Sequence, residues 1–437
     1  MHMKPRLKQL TTLLLVLIMG LCLLFPPALT AQAEGESSKE TAKEADEESK
    51  DPFEGTDFAN WGEVLDQAKG TTVSFYGWGG SDQVNAWIDD YLAPYAEENY
   101  GIKVDRVPMD IDMILNKLAG EKSADQKDSS IDLIWINGEN FATAKENDFL
   151  YGPFTEMLPH YHSYVDLEDP EVQVDFATEI EGFESPYSKA QLVLLADTDL
   201  VKDLPSSAQD LMDYAKANPG TFTYAALPDF TSSAFVRTIV HELADYDKLL
   251  EADKEISKEE LAKIIKPAMD YLKELAPYLW EKGKTYPATT AEVDQMFMDG
   301  QLHFSMSYDQ NHAVSMIRNG QYPETATAFI FDQGTVGNTS YVAIGKHSQN
   351  IAGALCLADA ILSPEMQASK MDPEIWGTIP VLDYDKLDED QLGLFAAIEM
   401  GEGALPADDL LEKRVPELPA FLVPLIEEIW LDEVAGQ

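Results

Sequence analysis

The chain has 437 residues, with 31 lysines and arginines against 78 aspartates and glutamates and a formal net charge of −47. A surface this acidic repels phosphate backbones and anionic lipid headgroups, which excludes nucleic-acid binding while saying little about fold. Apolar residues make up 45 % of the sequence, and the part that folds, about 380 residues, is too long for one ordinary core and divides naturally into two lobes.

Residues 1–33 carry Lys4, Arg6 and Lys8, a sixteen-residue apolar run from Leu10 to Phe25, then Pro26-Pro27 and Ala31-Gln32-Ala33. That order is a secretory signal peptide, so Glu34 is expected to begin an exported mature chain. The alternatives are disfavoured. The run is shorter than the roughly 20 residues that span a bilayer, and a lipid anchor on Cys22 would follow the bulky Leu21. Cleavage removes three cations and leaves 28 basic against 78 acidic side chains, a net of −50, with Cys356 the one remaining cysteine. No disulfide framework or cysteine zinc site is then available, and stability must come from packing. Residues 34–51 have no aromatic or large aliphatic side chain, and 34–56 are expected to form a disordered acidic tether.

Residues 71–76 are rich in strand formers and run into Gly77-Trp78-Gly79-Gly80-Ser81. Val84, Trp87, Ile88, Tyr91, Leu92 and Tyr95 then recur at helical spacing, with Ser81 or Asp82 placed as the cap. Residues 102–107 predict a second strand, 110–120 a helix, and 131–136 a third strand that breaks off into Asn137-Gly138-Glu139-Asn140. The alternation predicts a parallel sheet, and right-handed crossovers put both glycine-bearing loops at one edge, where α/β proteins hold ligands. Residues 191–196 restart the pattern, followed by a helix capped by Ser206 or Ser207, a strand at 221–225, and Asp229-Phe230-Thr231-Ser232-Ser233 opening the apolar helix 234–243. A long helix bent at Pro267 follows. Thr289 and Glu292 predict a capping box, 302–307 a strand ending at Tyr308-Asp309-Gln310-Asn311, and 339–344 one more. From Ile351 the chain reads as mainly helical.

Several catalytic and metal signatures fail. Gly283-Lys284-Thr285 lacks the earlier glycine of a phosphate-binding loop, and Gly77-x-Gly79 lacks the third glycine of a dinucleotide fingerprint. No G-x-S-x-G elbow occurs, and His241-Glu242 is not followed by a histidine at zinc-protease spacing. His160-x-His162 and the acids Asp383, Asp385, Asp388 and Asp390 read better as surface residues than as metal ligands. Trp78, Asn137, Asn140, Phe230, Tyr308, Asn338 and Trp376 fall repeatedly at loop positions, where packing and ligand contact compete as explanations singly but together favour a binding cleft.

Gly77-Trp78-Gly79-Gly80-Ser81, the block 132–141, Asp229-Phe230 and Gly337-Asn338-Thr339-Ser340 together resemble the YnjB-type branch of the extracellular solute-binding proteins of ABC transporters, over about residues 61–382. The resemblance implies an α/β, two-lobe periplasmic-binding-protein-like II fold, each lobe a mostly parallel sheet flanked by helices. It puts 57–186 plus 304–345 in the first lobe and 187–303 plus 346–437 in the second. Solute contact is implied at Trp78, Gly79, Gly80, Ser81, Asn137, Gly138, Glu139, Asn140, Phe230, Thr231, Ser232, Tyr308, Asp309, Gly337 and Asn338, and Gln191 joins them as a hydrogen-bonding candidate. The implied function is that of a non-enzymatic monomeric receptor that closes on a small polar solute and presents it to permease subunits, with no cofactor and no metal. Glu139, Asp229 and Asp309 tilt the solute towards a cation of thiamine or polyamine type, while ferric-ion members differ in pairing two tyrosines where Tyr308 stands alone. The rivals are an extracellular carbohydrate-active hydrolase using an Asp/Glu pair and a structural surface protein.

Overall fold

The computed structural model describes residues 51–401, 404–405 and 407–436, so the leader, Cys22 and nearly all of the tether lie outside the described residues. β1 (Thr72–Gly77) leads into α1 (Asp82–Trp87), whose cap is Ser81, its Oγ accepting from the Val84 N–H at 3.4 Å. The helical path continues to Tyr100 through a π turn at Ile88–Leu92, which accommodates Pro94, a residue with no N–H to give the turn before it. β2 (Lys103–Pro108), α2 (Ile111–Ser123), β3 (Leu133–Ile136) and α3 (Gly138–Glu146) complete the expected alternation. β1 pairs in parallel with both β2 and β3.

In β3, Leu133 enters one core and Ile134 and Ile136 enter another on the opposite face of the sheet. A strand covered on both sides has no polar face, which is why this stretch is apolar without interruption. The short β4 (Leu150–Tyr151) and the long β5 (Glu184–Gln191) follow.

After Leu192 the chain enters β6 (Val193–Asp197), the centre of a second, three-stranded sheet. α4 (Phe230–Leu243), β7 (Phe304–Ser307), α5 (His312–Arg318) and β8 (Ala326–Phe329) belong to this half, β7 and β8 both running antiparallel to β6. The expected mostly parallel second sheet is therefore corrected. An unbroken apolar run encodes burial on both faces, not strand direction: Leu194 and Ala196 face one core, Val193 and Leu195 the other. The strand expected at 221–225 does not form: the backbone groups of these residues bond singly to His303, Trp280 and the Ser232 hydroxyl rather than to a ladder.

β9 (Thr335–Gly345) returns the chain to the larger sheet, where it pairs with β3, β4 and β5. α6 (Ile351–Ile361) carries Cys356 fully buried, and α7 (Pro364–Met371) follows. β10 (Arg414–Pro416) pairs with the start of β9, and α8 (Leu422–Trp430) closes the second core. The lobe boundaries are thus corrected twice. Residues 304–329 pair within the second sheet rather than joining the first lobe, and residues 351–371 pack on β1 rather than in the second lobe. α6 is buried on nearly every side, and its face of small and aliphatic residues fits the open side of the parallel strands. The chain passes between the halves three times, at Leu192, at Val336 and between Phe395 of the first core and Val415 of the second; the first two crossings lie side by side, the Leu192 N–H donating to the Val336 carbonyl at 2.9 Å.

Within the first core, Lys370 is buried with Nζ 3.9 Å from the Tyr187 ring centroid, 5.2 Å from Trp376 and 5.3 Å from Trp87, and it donates to the Tyr187 carbonyl. Burial pulls its pKa far below the ordinary lysine value. Trp376, singled out from the sequence as a loop aromatic, is a wall of this box.

Candidate functional site

At the edge of the larger sheet the β1 and β3 loops stand side by side, because Phe75 pairs with Leu133 and Tyr76 with Ile134. The Trp78 indole folds over Gly80, so close that a Cβ there would lie 2.3 Å from the ring, and remains 53 % exposed. Gly79 lies against Pro108, and its carbonyl accepts from Asn85 Nδ2 at 2.9 Å. Gly138 sits at φ +61°, in the left-handed region, and its N–H donates to Asp175 Oδ2 at 2.5 Å. The Phe176 ring lies 3.3 Å from where a Cβ on Gly138 would be, a tight contact that adds to the strain an L side chain meets at this positive φ. Asn137 and Asn140 are half-buried, and their side-chain amides make no hydrogen bond among the described residues.

On the second half, Asp229 caps α4 by accepting from the Ser232 N–H at 2.9 Å and also accepts from the Thr290 N–H at 2.8 Å and Thr290 Oγ1 at 2.5 Å. This carboxylate is fully engaged in holding the helix start. Ser232 points inward, its Oγ accepting from the Ala225 N–H at 2.8 Å, while Thr231 is half-buried. Phe230, the first residue of α4, is 38 % exposed and meets Tyr308 edge to face at 4.9 Å. The Tyr308 hydroxyl donates to Glu417 Oε1 at 3.2 Å. Glu417 also takes two 2.7 Å bonds from the buried Arg237, whose third nitrogen reaches Ser233 Oγ at 2.6 Å. Ser233 Oγ in turn donates to Glu427 at 2.7 Å. Asp309 turns to its own loop, accepting from the Asn311 N–H at 3.0 Å, and burial raises its pKa against the pull of His312.

The halves meet at Phe176. Its carbonyl accepts from the Ala420 N–H at 2.9 Å, its ring packs with Ala420 and Val423, and the Arg237 guanidinium lies 5.8 Å from the ring centroid. Glu139 faces the same group: burial raises its pKa, Arg237 opposes, and Glu427 and Glu417 add to the rise. Asp175, behind Gly138, is raised well above the ordinary carboxylate value by burial. Gln191 and Gly337 pair where the strands cross. Gln191 Nε2 donates to Thr335 Oγ1 at 3.1 Å while its Oε1 is buried without a partner, as is Asn338 Oδ1.

The structure thus brings Gly138, Glu139, Phe230 and Tyr308 together around Arg237 and Glu417, with Gln191, Gly337 and Asn338 at the crossing. It does not bring Trp78, Gly79, Gly80 or Ser81 into contact with Phe230 or Tyr308; their neighbours are Pro108, Asn85 and one another. Asp175, Phe176, Arg237, Arg414 and Glu417 were missed by sequence reasoning, because nothing local marks them. A cavity of about 310 Å³ lies between Lys189, Gln310, Asn311 and residues 378–384, reaching the end of the Tyr308-Asp309-Gln310-Asn311 loop. His160 bonds to Asp359 and His162 to Glu156, while Asp383 and Asp388 cap helical turns, so these residues have separate structural partners.

The family model for bacterial extracellular solute-binding proteins matches residues 90–387. The protein YnjB of Escherichia coli (strain K12) is 35 % identical over 379 residues, covering 86 % of this chain and 94 % of that protein. Among solved structures, the periplasmic binding protein AfuA from Actinobacillus pleuropneumoniae, with fructose-6-phosphate bound, superposes with a TM-score of 0.57 at 15 % identity, over 84 % of this chain and 99 % of that one. An ABC transporter protein from Clostridium perfringens gives 0.56 at 15 % identity, over 83 % and 99 %. The ferric binding protein from Campylobacter jejuni gives 0.55 at 14 %, over 83 % and 98 %. These structures share the two-lobe fold with this chain.

Proposed function

The chain belongs to the bacterial extracellular solute-binding proteins, and from that premise we propose that it is the capture component of an ABC importer, taking up a small polar solute outside the cytoplasmic membrane and presenting it to permease subunits. The reading rests most on one observation, the meeting of Gly138, Glu139 and Phe176 with Arg237, Glu417 and Tyr308 beside the double crossing of the chain. A solute held by both halves makes all its contacts only when they are shut, so its binding energy shifts the population towards the closed form. Micromolar affinity corresponds to about 8 kcal/mol, ample for such a shift.

The residues proposed to touch the solute are Asn137, Gly138, Glu139, Asn140, Phe230, Thr231, Tyr308, Gln191, Gly337 and Asn338, with 78–81 at the rim. Three carboxylates, Glu139, Glu417 and Glu427, surround Arg237, and burial already pushes Glu139 and Glu427 towards protonation. A cationic group on the solute relieves that cost, and the Phe230 and Tyr308 rings add about 0.5–2 kcal/mol per cation contact. Thiamine-like and polyamine-like compounds have this character. The chain works as a monomer and performs no catalysis in this scheme.

The test is mass spectrometry of small molecules released from gently denatured, purified protein, followed by small-angle scattering with and without the compound found. A polar molecule near one equivalent and a smaller radius of gyration on adding it back are expected. Absence of any released molecule together with an unchanged radius across a metabolite panel overturns the proposal.

A further inference from the structure

Arg414 is the least explained charged group in the molecule. Its side chain is 1 % exposed, yet Nε, Nη1 and Nη2 all lack a hydrogen bond among the described residues. Its ion-pair contact is Glu171 Oε2, 3.2 Å from Nη1, and that same oxygen is already held by Lys189 Nζ at 3.0 Å. A guanidinium presents five donors in a planar fork, and leaving them unmade in a buried place is costly. The position is built for this side chain. Arg414 lies across Gly337, where a Cβ would come within 2.8 Å of Nε.

The surroundings belong to the candidate site. Gly337 pairs with Gln191, whose Oε1 is buried without a partner, and Thr339, two residues on, has an orphaned Oγ1. Asn338 Oδ1 and, behind Gly138, Asp175 Oδ1 are also without a hydrogen bond among the described residues. The charge of Arg414 reaches the Tyr308 hydroxyl, where burial and Glu417 hold the phenol protonated and Arg237 and Arg414 pull the other way. Arg414, lying across Gly337, and the unbonded acceptors of Gln191 and Thr339 thus belong to one stretch of paired strand at the crossing.

We propose that Arg414 seats an oxyanion of the solute, a carboxylate or a phosphate, with the solute's own N–H or O–H donors turned to Gln191 and Thr339. This rests on the solute-capture reading and narrows it: the solute is dipolar, its cationic end towards Glu139 and its anionic end at the crossing. Glu171 then acts as a resident competitor that holds the fork until the oxyanion displaces it.

The test is a thermal-shift and calorimetric titration of the mature chain with inorganic phosphate, succinate and, as the uncharged counterpart, succinamide. Succinate or phosphate raises Tm and succinamide does not; which of the two acts identifies the oxyanion. Arg414→Gln weakens that response about ten- to hundredfold, the worth of one charge-assisted hydrogen-bonded contact, and Arg414→Lys weakens it less. Glu171→Gln, which keeps Arg414 and removes its competitor, strengthens the response. Equal responses to succinate and succinamide, no response to either anion, or an Arg414→Gln protein that binds as wild type overturns the proposal. A co-purified solute that binds Arg414→Gln at full affinity also overturns it while leaving solute capture intact, whereas a chain that never compacts with any small molecule removes the capture reading itself.

Discussion

Arg237 and Glu417 are 1 % and 2 % exposed and joined by two 2.7 Å bonds, so each neutralises a charge that would otherwise stand alone in a dry place. Glu417→Gln leaves the guanidinium uncompensated and should cost about 3–5 kcal/mol in urea unfolding, while replacing both partners by Met and Leu should cost far less. The pair was invisible in the sequence because its members lie 180 positions apart. Gly138 was legible as a turn glycine, but the Asp175 and Phe176 that meet it, 37 and 38 positions on, carried no local signal. A second pair sets a pH dependence. Burial lowers the pKa of His312, but the bond to Asp294 at 3.1 Å and the charges of Asp294 and Asp309 outweigh it and leave the imidazole above its ordinary value. A raised folded value means that this stabilisation is full below the ordinary imidazole range and lost as pH rises through the folded one. Asp294 is shifted down, its burial outweighed by His312, Tyr322 and Ser305, so its share stands above the ordinary carboxylate range and fades in acid. Chemical denaturation across pH should therefore show a loss on the alkaline side that His312→Gln makes smaller.

The start of α4 shows how one element positions the site. Asp229 both caps the helix and ties it to Thr290, and Phe230, next in line, is aimed at Tyr308 by that anchorage. Asp229→Ala should lower stability by about 1–2 kcal/mol in thermal unfolding and weaken solute affinity, whereas Asp229→Asn, which still caps, should lose much less. The first three strands and their helices were readable because each carries its own signal: apolar residues on both faces, Ser81 as a cap, glycine at the turn. The second sheet was readable only as strands. Direction depends on which strands find each other, and β6 takes neighbours more than 100 residues away. Residues 221–225 have strand composition but pair with single atoms rather than a ladder, a tertiary outcome that composition does not encode. Thr289 caps Glu292 as the motif predicts, but the Glu292 side chain accepts from Ala288, one residue earlier than a capping box requires.

Across the whole molecule, acidity and burial act in the same direction. Asp175 and Glu184 are buried and raised well above the ordinary carboxylate value, with Glu139, Asp309 and Glu427 raised as well. Carboxylates raised on folding bind protons more tightly in the native chain, so their contribution is present in acid and lost as pH climbs through the folded values. Self-repulsion among 78 acids against 31 cations grows over the same range. Tm should be higher near pH ~5.5 than near pH ~8, and added salt should narrow the gap by screening. Cys356 offers a practical corollary. It is the one cysteine among the described residues, fully enclosed in α6, and burial pushes its thiol up to about 12. Sulfur that is neither accessible nor ionised ignores maleimide, so in a chain beginning at Glu34 two engineered cysteines on opposite halves can take a donor and an acceptor dye without background labelling. Energy transfer between them would then follow individual molecules opening and shutting in real time.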